Sequence, residues 1–161
     1  DKSILVRLRD AYDGAEPSAN SIAAMNLLRL AEMANRPAWR EKADQVFGAF
    51  SRQIEHAPET LPQMISAVDF ALSKPRQVVI AGDLSRQDTQ ALLRVVNQRY
   101  LPNKVLFLVD GAATQQLSAW LPFIEGMHPI DGKATAYVCE NYTCKLPTSD
   151  PARVAQMLED R

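Results

Sequence analysis

Cysteine and histidine are scarce, with two of each in 161 residues. Cys139 and Cys144 stand as a C-x4-C pair, while His56 and His128 lie far apart in sequence. The four ligands of a structural zinc site are therefore not assembled by any spacing here, and no metal is expected. Long apolar runs are missing too. Val78–Ala81 and Val105–Val109, the strongest, fall far short of the roughly 20 residues that span a bilayer. Neither sign of charge dominates: 18 basic against 19 acidic residues leave −1, which gives no footprint for nucleic acid or an anionic membrane. No basic segment precedes an apolar stretch as a secretion signal requires, so a cytoplasmic setting is expected. The chain starts at Asp1 rather than Met, as an excised piece or mature segment would. G-x-G-x-x-G, G-x-x-x-x-G-K-[ST] and G-x-S-x-G are all absent. Nucleotide binding and a serine-hydrolase triad have no support, and no cofactor is expected.

What is present reads as an ordinary globular chain: 47% of residues are apolar and 23% charged, which excludes disorder. No internal repeat or low-complexity segment occurs. The first part has helical periodicity. From Ser21 to Asn35 the wheel is lopsided: with the flanking Ser18 and Arg36, the positions Ser21, Arg29 and Glu32 fall within about 80°, and apolar residues fill most of the remainder. This helix is expected to be among the most buried, with Arg29 and Glu32 on its exposed strip. Asn35-Arg36-Pro37 breaks it. A surface helix follows over about Ala38–Ile54, with Trp39, Ala43, Val46, Phe47, Phe50 and Ile54 on one face. A third runs over about Glu59–Ser73. The period then changes. Gln77–Ala81, Val105–Val109 and Thr135–Cys139 read as strands, with helices near Ser85–Gln98 and Ala113–Trp120 between them and a last helix over Pro151–Glu159. Strand–helix–strand–helix–strand predicts parallel neighbours. The expected fold is mixed α and β: helical hairpins over residues 1–74, then a small, mainly parallel three-strand α/β unit over 75–161.

The densest polar cluster is the stretch Asp13 to Ser21, on the turn entering the first helix. Tight-turn and N-cap chemistry explains these residue types. The functional alternative is a polar cavity wall, with helix N–H groups and two carboxylates aimed at a ligand. Cys139 and Cys144 read as structural thiols by default, since buried cysteine behaves as a small hydrophobe. A reversible disulfide across the loop is the alternative; it needs Cα atoms about 4.4–6.8 Å apart. The two Cα atoms are expected within or just beyond that range, with the thiols reduced. Asp83 and Asp110 both follow strands, where open α/β sheets bind ligands, although turn chemistry accounts for them as well. Trp39 and Trp120 read as core or interface residues.

Two segments together carry a family resemblance. Asp13-Gly-Ala-Glu-Pro-Ser-Ala-Asn-Ser-Ile-Ala-Ala-Met-Asn-Leu-Leu-Arg-Leu30 and Ala136-Tyr-Val-Cys-Glu-Asn-Tyr-Thr-Cys-Lys-Leu-Pro-Thr148 resemble the C-terminal region of YyaL-type proteins, relatives of the spermatogenesis-associated thioredoxin-domain proteins. The order of Val78-Val-Ile-Ala-Gly82 and Leu101-Pro-Asn-Lys-Val-Leu-Phe-Leu-Val-Asp-Gly111 matches as well. Ala19 departs from the pattern, which usually has Gly before the Asn; its methyl group narrows close backbone approach. The resemblance implies a longer parent: a thioredoxin-like domain, then an (α/α)6 barrel (an α/α toroid) similar to sugar epimerases and six-hairpin glycosidases. This chain would hold the end of that barrel and the α/β segment.

Two functions follow as expectations. In the first, Asp13 and Glu16 are candidate catalytic carboxylates, and Ser18, Asn20 and Asn26 line one wall of a barrel pocket for a carbohydrate-like ligand. In the second, the chain is a non-catalytic regulatory or interaction module whose functional residues are a redox pair, Cys139 and Cys144. The expected partners are the rest of the parent chain and, for the fragment alone, a second copy of itself.

Overall fold

The structure, a computed structural model, describes residues 12–159. They divide into two compact units. The first runs up to Ala31 and adds Asn35–Ser73; the second combines Glu32–Ala34 with the chain from Lys74 onward.

The first unit is helical. Ser18 caps α1 (Ala19–Ala34) by accepting from the Ser21 N–H, and Asn35 closes the helix in the left-handed region at φ 48°. Asparagine tolerates that conformation better than most residues. Pro37 opens α2 (Pro37–His56) at a position where its missing N–H costs nothing. A 3₁₀ turn at Pro58–Thr60 leads into α3 (Pro62–Leu72), again opened by proline. Ala24, Leu28, Ala43, Phe50, Leu61, Met64, Ala67 and Phe70 are buried. The Arg40 guanidinium donates to the Ala71 carbonyl oxygen at the end of α3, the favourable end of the helix for a cation.

The second unit is a four-stranded sheet with spatial order β2-β1-β3-β4, in which β1 is Arg76–Ala81, β2 Lys104–Val109, β3 Thr135–Glu140 and β4 Thr143–Cys144. The helices α4 (Gln87–Asn97), α5 (Gly111–Leu117) and α6 (Pro151–Glu159) belong to it. Side chains alternate across a strand, which sorts the core into two halves. On one face Val78, Ile80, Ala136 and Val138 pack with Leu92 and Val96 of α4 and Val154 and Met157 of α6. On the other, Val79, Ala81, Tyr137 and Cys139 pack with Leu121, Ile124 and Met127, with Met33 and Ala34 beside them. Both faces are covered, so β1 is buried from Gln77 to Ala81.

Three expectations are corrected. β1 and β2 are parallel as expected, but β3 runs antiparallel to β1, with Ala81 opposite Thr135 and Arg76 opposite Glu140. The sheet is therefore mixed rather than mainly parallel. The reason lies in the connection after β2. Its helix α5 has seven residues and rises only about 10 Å, half the roughly 20 Å of a six-residue strand. The chain does not return to the opposite end of the sheet, and β3 starts beside the end where β1 stops. The fourth strand was not foreseen, being two residues long. Third, α1 is not buried on most sides. Ser21, Ala24, Leu28 and Ala31 form one covered stripe, while Ile22 and Leu30 are 40% and 45% exposed. Arg29 is exposed as expected, whereas Glu32 is half-buried.

Candidate functional site

The polar turn is organised by Asp13. One carboxylate oxygen, Oδ1, accepts from the Ser18 N–H at 2.7 Å. The other, Oδ2, accepts from the Ser21 hydroxyl at 3.0 Å and from the Gln63 and Met64 N–H groups at 2.9 and 3.2 Å. Asp13 thus satisfies backbone donors at the starts of both α1 and α3, where a negative charge is favoured. Burial alone would raise its pKa. The hydrogen bonds from Ser18, Ser21, Met64 and Gln63 more than offset this and hold it below the usual carboxylate value. Ser18, also buried, is the N-cap of α1. Of the other residues on this turn and helix, Glu16 and Asn26 are exposed and Asn20 is half-buried.

Asp83 and Asp110 lie where the sequence placed them, just past β1 and β2. Both are exposed. Asp83 accepts from the Ser85 N–H and hydroxyl, a turn-closing arrangement in which the hydroxyl bond leads in lowering its pKa. The more constrained acid is Asp88. Arg86 grips it with two parallel hydrogen bonds of 3.0 and 2.9 Å, and the Ala134 N–H adds a third at 3.0 Å. Led by the Arg86 bond, these hold Asp88 well below the usual carboxylate range. They also tie the start of α4 to the residue before β3. Among the described residues, no group of three or more His, Cys, Asp or Glu side chains is placed to hold a metal ion.

Cys139 and Cys144 are joined in a disulfide, with Cα atoms 3.9 Å apart. This corrects the expectation of reduced thiols, and the spacing is shorter than the expected range. The cause is register: Cys139 and Cys144 are direct partners across the β3–β4 ladder, where a non-hydrogen-bonded antiparallel pair brings Cα atoms to about 4.5 Å. The intervening turn has Asn141 and Tyr142 at φ 49° and 59°, the signature of a two-residue hairpin. Cys139 is buried, but Cys144 is exposed. One sulfur of the pair therefore belongs to a residue that solvent reaches.

Sequence reasoning missed the residues that surround this hairpin. Gln77, fully buried, is the cross-strand partner of Cys139. Its Oε1 accepts from the Tyr142 N–H at 3.3 Å, and its amide donates to Glu32 at 3.0 Å. The Tyr142 hydroxyl donates to the Glu32 carbonyl oxygen at 2.6 Å, and its ring meets Phe123 edge-on at 5.6 Å. Two signals were available. Gln77 is a lone amide opening a β-branched run, and a buried amide needs partners. Tyr142 occupies a turn position where glycine is the usual residue.

No family model matches the chain, and no solved structure matches it. Curated proteins do. Human spermatogenesis-associated protein 20 is 42% identical over 153 residues, 95% of this chain and 20% of that protein. The rat protein of the same name is 41% identical over the same length. An uncharacterised protein of Caenorhabditis elegans is 33% identical over 148 residues, 91% of this chain and 20% of that protein. The chain spans about a fifth of the length of the curated relatives it matches.

Proposed function

We propose that this chain, a homologue of spermatogenesis-associated protein 20, serves as the C-terminal module of a larger protein in which Cys139 and Cys144 exchange with a thioredoxin-type dithiol. The observation that carries this reading is the disulfide itself, set on a two-residue turn with Cys144 exposed. Exchange needs an accessible sulfur and a resolving partner; in this reading Cys144, an exposed residue, takes the first role and Cys139 the second. A donor thiolate attacks the sulfur of Cys144, and the bond to Cys139 breaks. Cys139 leaves as a thiolate and takes up a proton. The donor's second thiolate then attacks the mixed disulfide, releasing Cys144, which is protonated in turn, and closing a disulfide on the donor. Two electrons and two protons have passed to the chain. The resemblance to thioredoxin-domain proteins supplies the natural donor, a domain of the same parent. Incubating the oxidised full-length protein, its own thioredoxin-like cysteines replaced by serine, with a reduced thioredoxin-type dithiol tests this. One donor disulfide should form per chain, and none in Cys139→Ser. Absence of donor oxidation by the unsubstituted hairpin contradicts the reading.

A second reading has its own observation. The exposed stripe of α1 carries Ala19, Ile22, Ala23 and Leu30 around Asn26, more apolar surface than a free helix face normally shows. In this reading the remaining helices of an (α/α)6 barrel cover the stripe, and the turn above it forms one wall of a pocket for a carbohydrate-like ligand. Asp13 and Ser18 hold the turn in shape, Glu16 supplies a carboxylate and Asn20 and Asn26 supply amides. In the full-length protein, Glu16→Gln and Asn20→Ala then impair binding or turnover across a sugar library while folding is retained. An effect confined to melting temperature assigns the turn to capping alone.

A further inference from the structure

The environment of Tyr142 points beyond thiol exchange to what exchange controls. We propose that Tyr142 is a latch gated by the Cys139–Cys144 bond: docked when the pair is oxidised, released when it is reduced. The inference rests on the redox reading of the pair.

Three observations carry it. First, Tyr142 pays a conformational penalty to be where it is. Both central residues of its turn have positive φ, a region that side chains disfavour and that glycine would occupy freely. Second, it is held by groups far away in sequence. The Gln77 side chain accepts its N–H, the Glu32 carbonyl accepts its hydroxyl proton, and Phe123 meets its ring. Phe123 in turn meets Phe107 edge-on at 5.7 Å. Glu32 belongs to the same compact unit as the hairpin. Third, the disulfide is the covalent tie across the turn. β4 contributes two ladder positions, Cys139–Cys144 and Glu140–Thr143, with the Lys145 N–H bonded to Val138 beyond them. Cutting the sulfur–sulfur bond leaves hydrogen bonds alone, this short ladder and the reciprocal Ala136–Thr148 pair further along, to hold two residues in a disfavoured conformation.

Gln77 makes the coupling physical. It lies directly across from Cys139 on β1, as Cys144 does on β4, so the amide that grips Tyr142 and Glu32 shares a row with the disulfide. Release of Tyr142 withdraws one hydrogen bond from Gln77 and one from the Glu32 carbonyl, and uncovers Phe123. Reduction thereby becomes a change of surface at Glu32 and Phe123. Linkage requires the reverse as well: whatever docks Tyr142 stabilises the disulfide by the same factor.

The test is made on the intact full-length protein, with hydrogen exchange at residues 141–145 compared between oxidised and dithiothreitol-reduced samples, and with a glutathione titration of the hairpin. Reduction should speed exchange of the Tyr142 amide at least about tenfold while exchange in β1 is unchanged. Tyr142→Phe, which removes the hydroxyl that bonds Glu32, should shift the equilibrium toward the dithiol by about three- to tenfold, or about 15–30 mV for a two-electron couple. Reduction that leaves Tyr142 exchange unchanged, or a Tyr142→Phe equilibrium equal to that of the parent, overturns the latch but not the redox reading. A disulfide that dithiothreitol does not open in the folded protein overturns both.

Discussion

Asp13 shows how one carboxylate can serve two helices at once. The donors it satisfies come from residues five, eight, fifty and fifty-one positions along the chain. Replacement by asparagine turns an oxygen that accepts from N–H groups into a donor facing them. Asp13→Asn should therefore lower the stability of the chain by about 2–3 kcal/mol, the scale of hydrogen bonds to charged groups. The pH dependence has a definite sign. Because the folded pKa lies below the unfolded value, about 3.9, the unfolded state binds more protons in the window between the two. The Asp13 contribution is full above about pH 4 and is lost as pH falls through the folded value. Urea melts from pH 7 down to pH 3 should be flatter for Asp13→Asn than for the parent; equal slopes would remove Asp13 from this role.

Gly82 and Thr89 give a second test at single residues. A Cβ built on Gly82 would lie 2.5 Å from Thr89 Oγ1 and 2.9 Å from the Ala134 Cβ. Gly82→Ala must push apart the start of α4 and the residue before β3, at about 1–3 kcal/mol for overpacking. Among the described residues the buried Thr89 hydroxyl has no hydrogen-bond partner, so Thr89→Val discards an unmet polar group at nearly the same shape. Thermal melts should show Thr89→Val as stable as the parent or slightly more so. A loss above about 1 kcal/mol would mean that the hydroxyl has a partner.

At the scale of elements, the sequence was most legible where period and punctuation agreed. α6 begins and ends where its proline and its apolar spacing placed it, and β1 and β2 were visible as β-branched runs with parallel pairing. The direction of β3 was not legible, because alternation reports which face is buried and not which way the strand runs. A short helix was legible near Ala113–Trp120, but nothing in its residues declares at which end of the sheet the chain leaves it. α1 was misread for a related reason: apolar composition around the whole wheel says that a surface can be covered, but not that this chain covers it. The polar turn could be read as capping from residue types alone, whereas the pairing of Asp13 with α3 spans some fifty residues and has no local signal. For the cysteines, spacing allowed a bond; the ladder register that makes it direct depended on a strand too short to see.

For the molecule as a whole, the exposed stripe of α1 has a consequence in solution. A 161-residue chain carrying Ile22 and Leu30 at 40% and 45% exposure on a helix face that is apolar except for Asn26 should associate with itself when studied without the rest of its parent. Light scattering on the isolated chain should show mass rising with concentration, and Ile22→Lys combined with Leu30→Lys should restore a monomer. A strict monomer at all concentrations would leave that face with no need of a partner. No helix among the described residues is long and apolar enough to cross a membrane.

The central claim is that Cys139 and Cys144 act as one reversible couple on an intact fold. Thiol labelling read by mass spectrometry, across a glutathione redox titration of the full-length protein, tests it most directly. The account predicts that the two residues gain label together in a single two-electron transition, reversed on reoxidation, while far-ultraviolet circular dichroism stays constant. Independent labelling of the two cysteines at every potential, or no labelling short of unfolding, would contradict it.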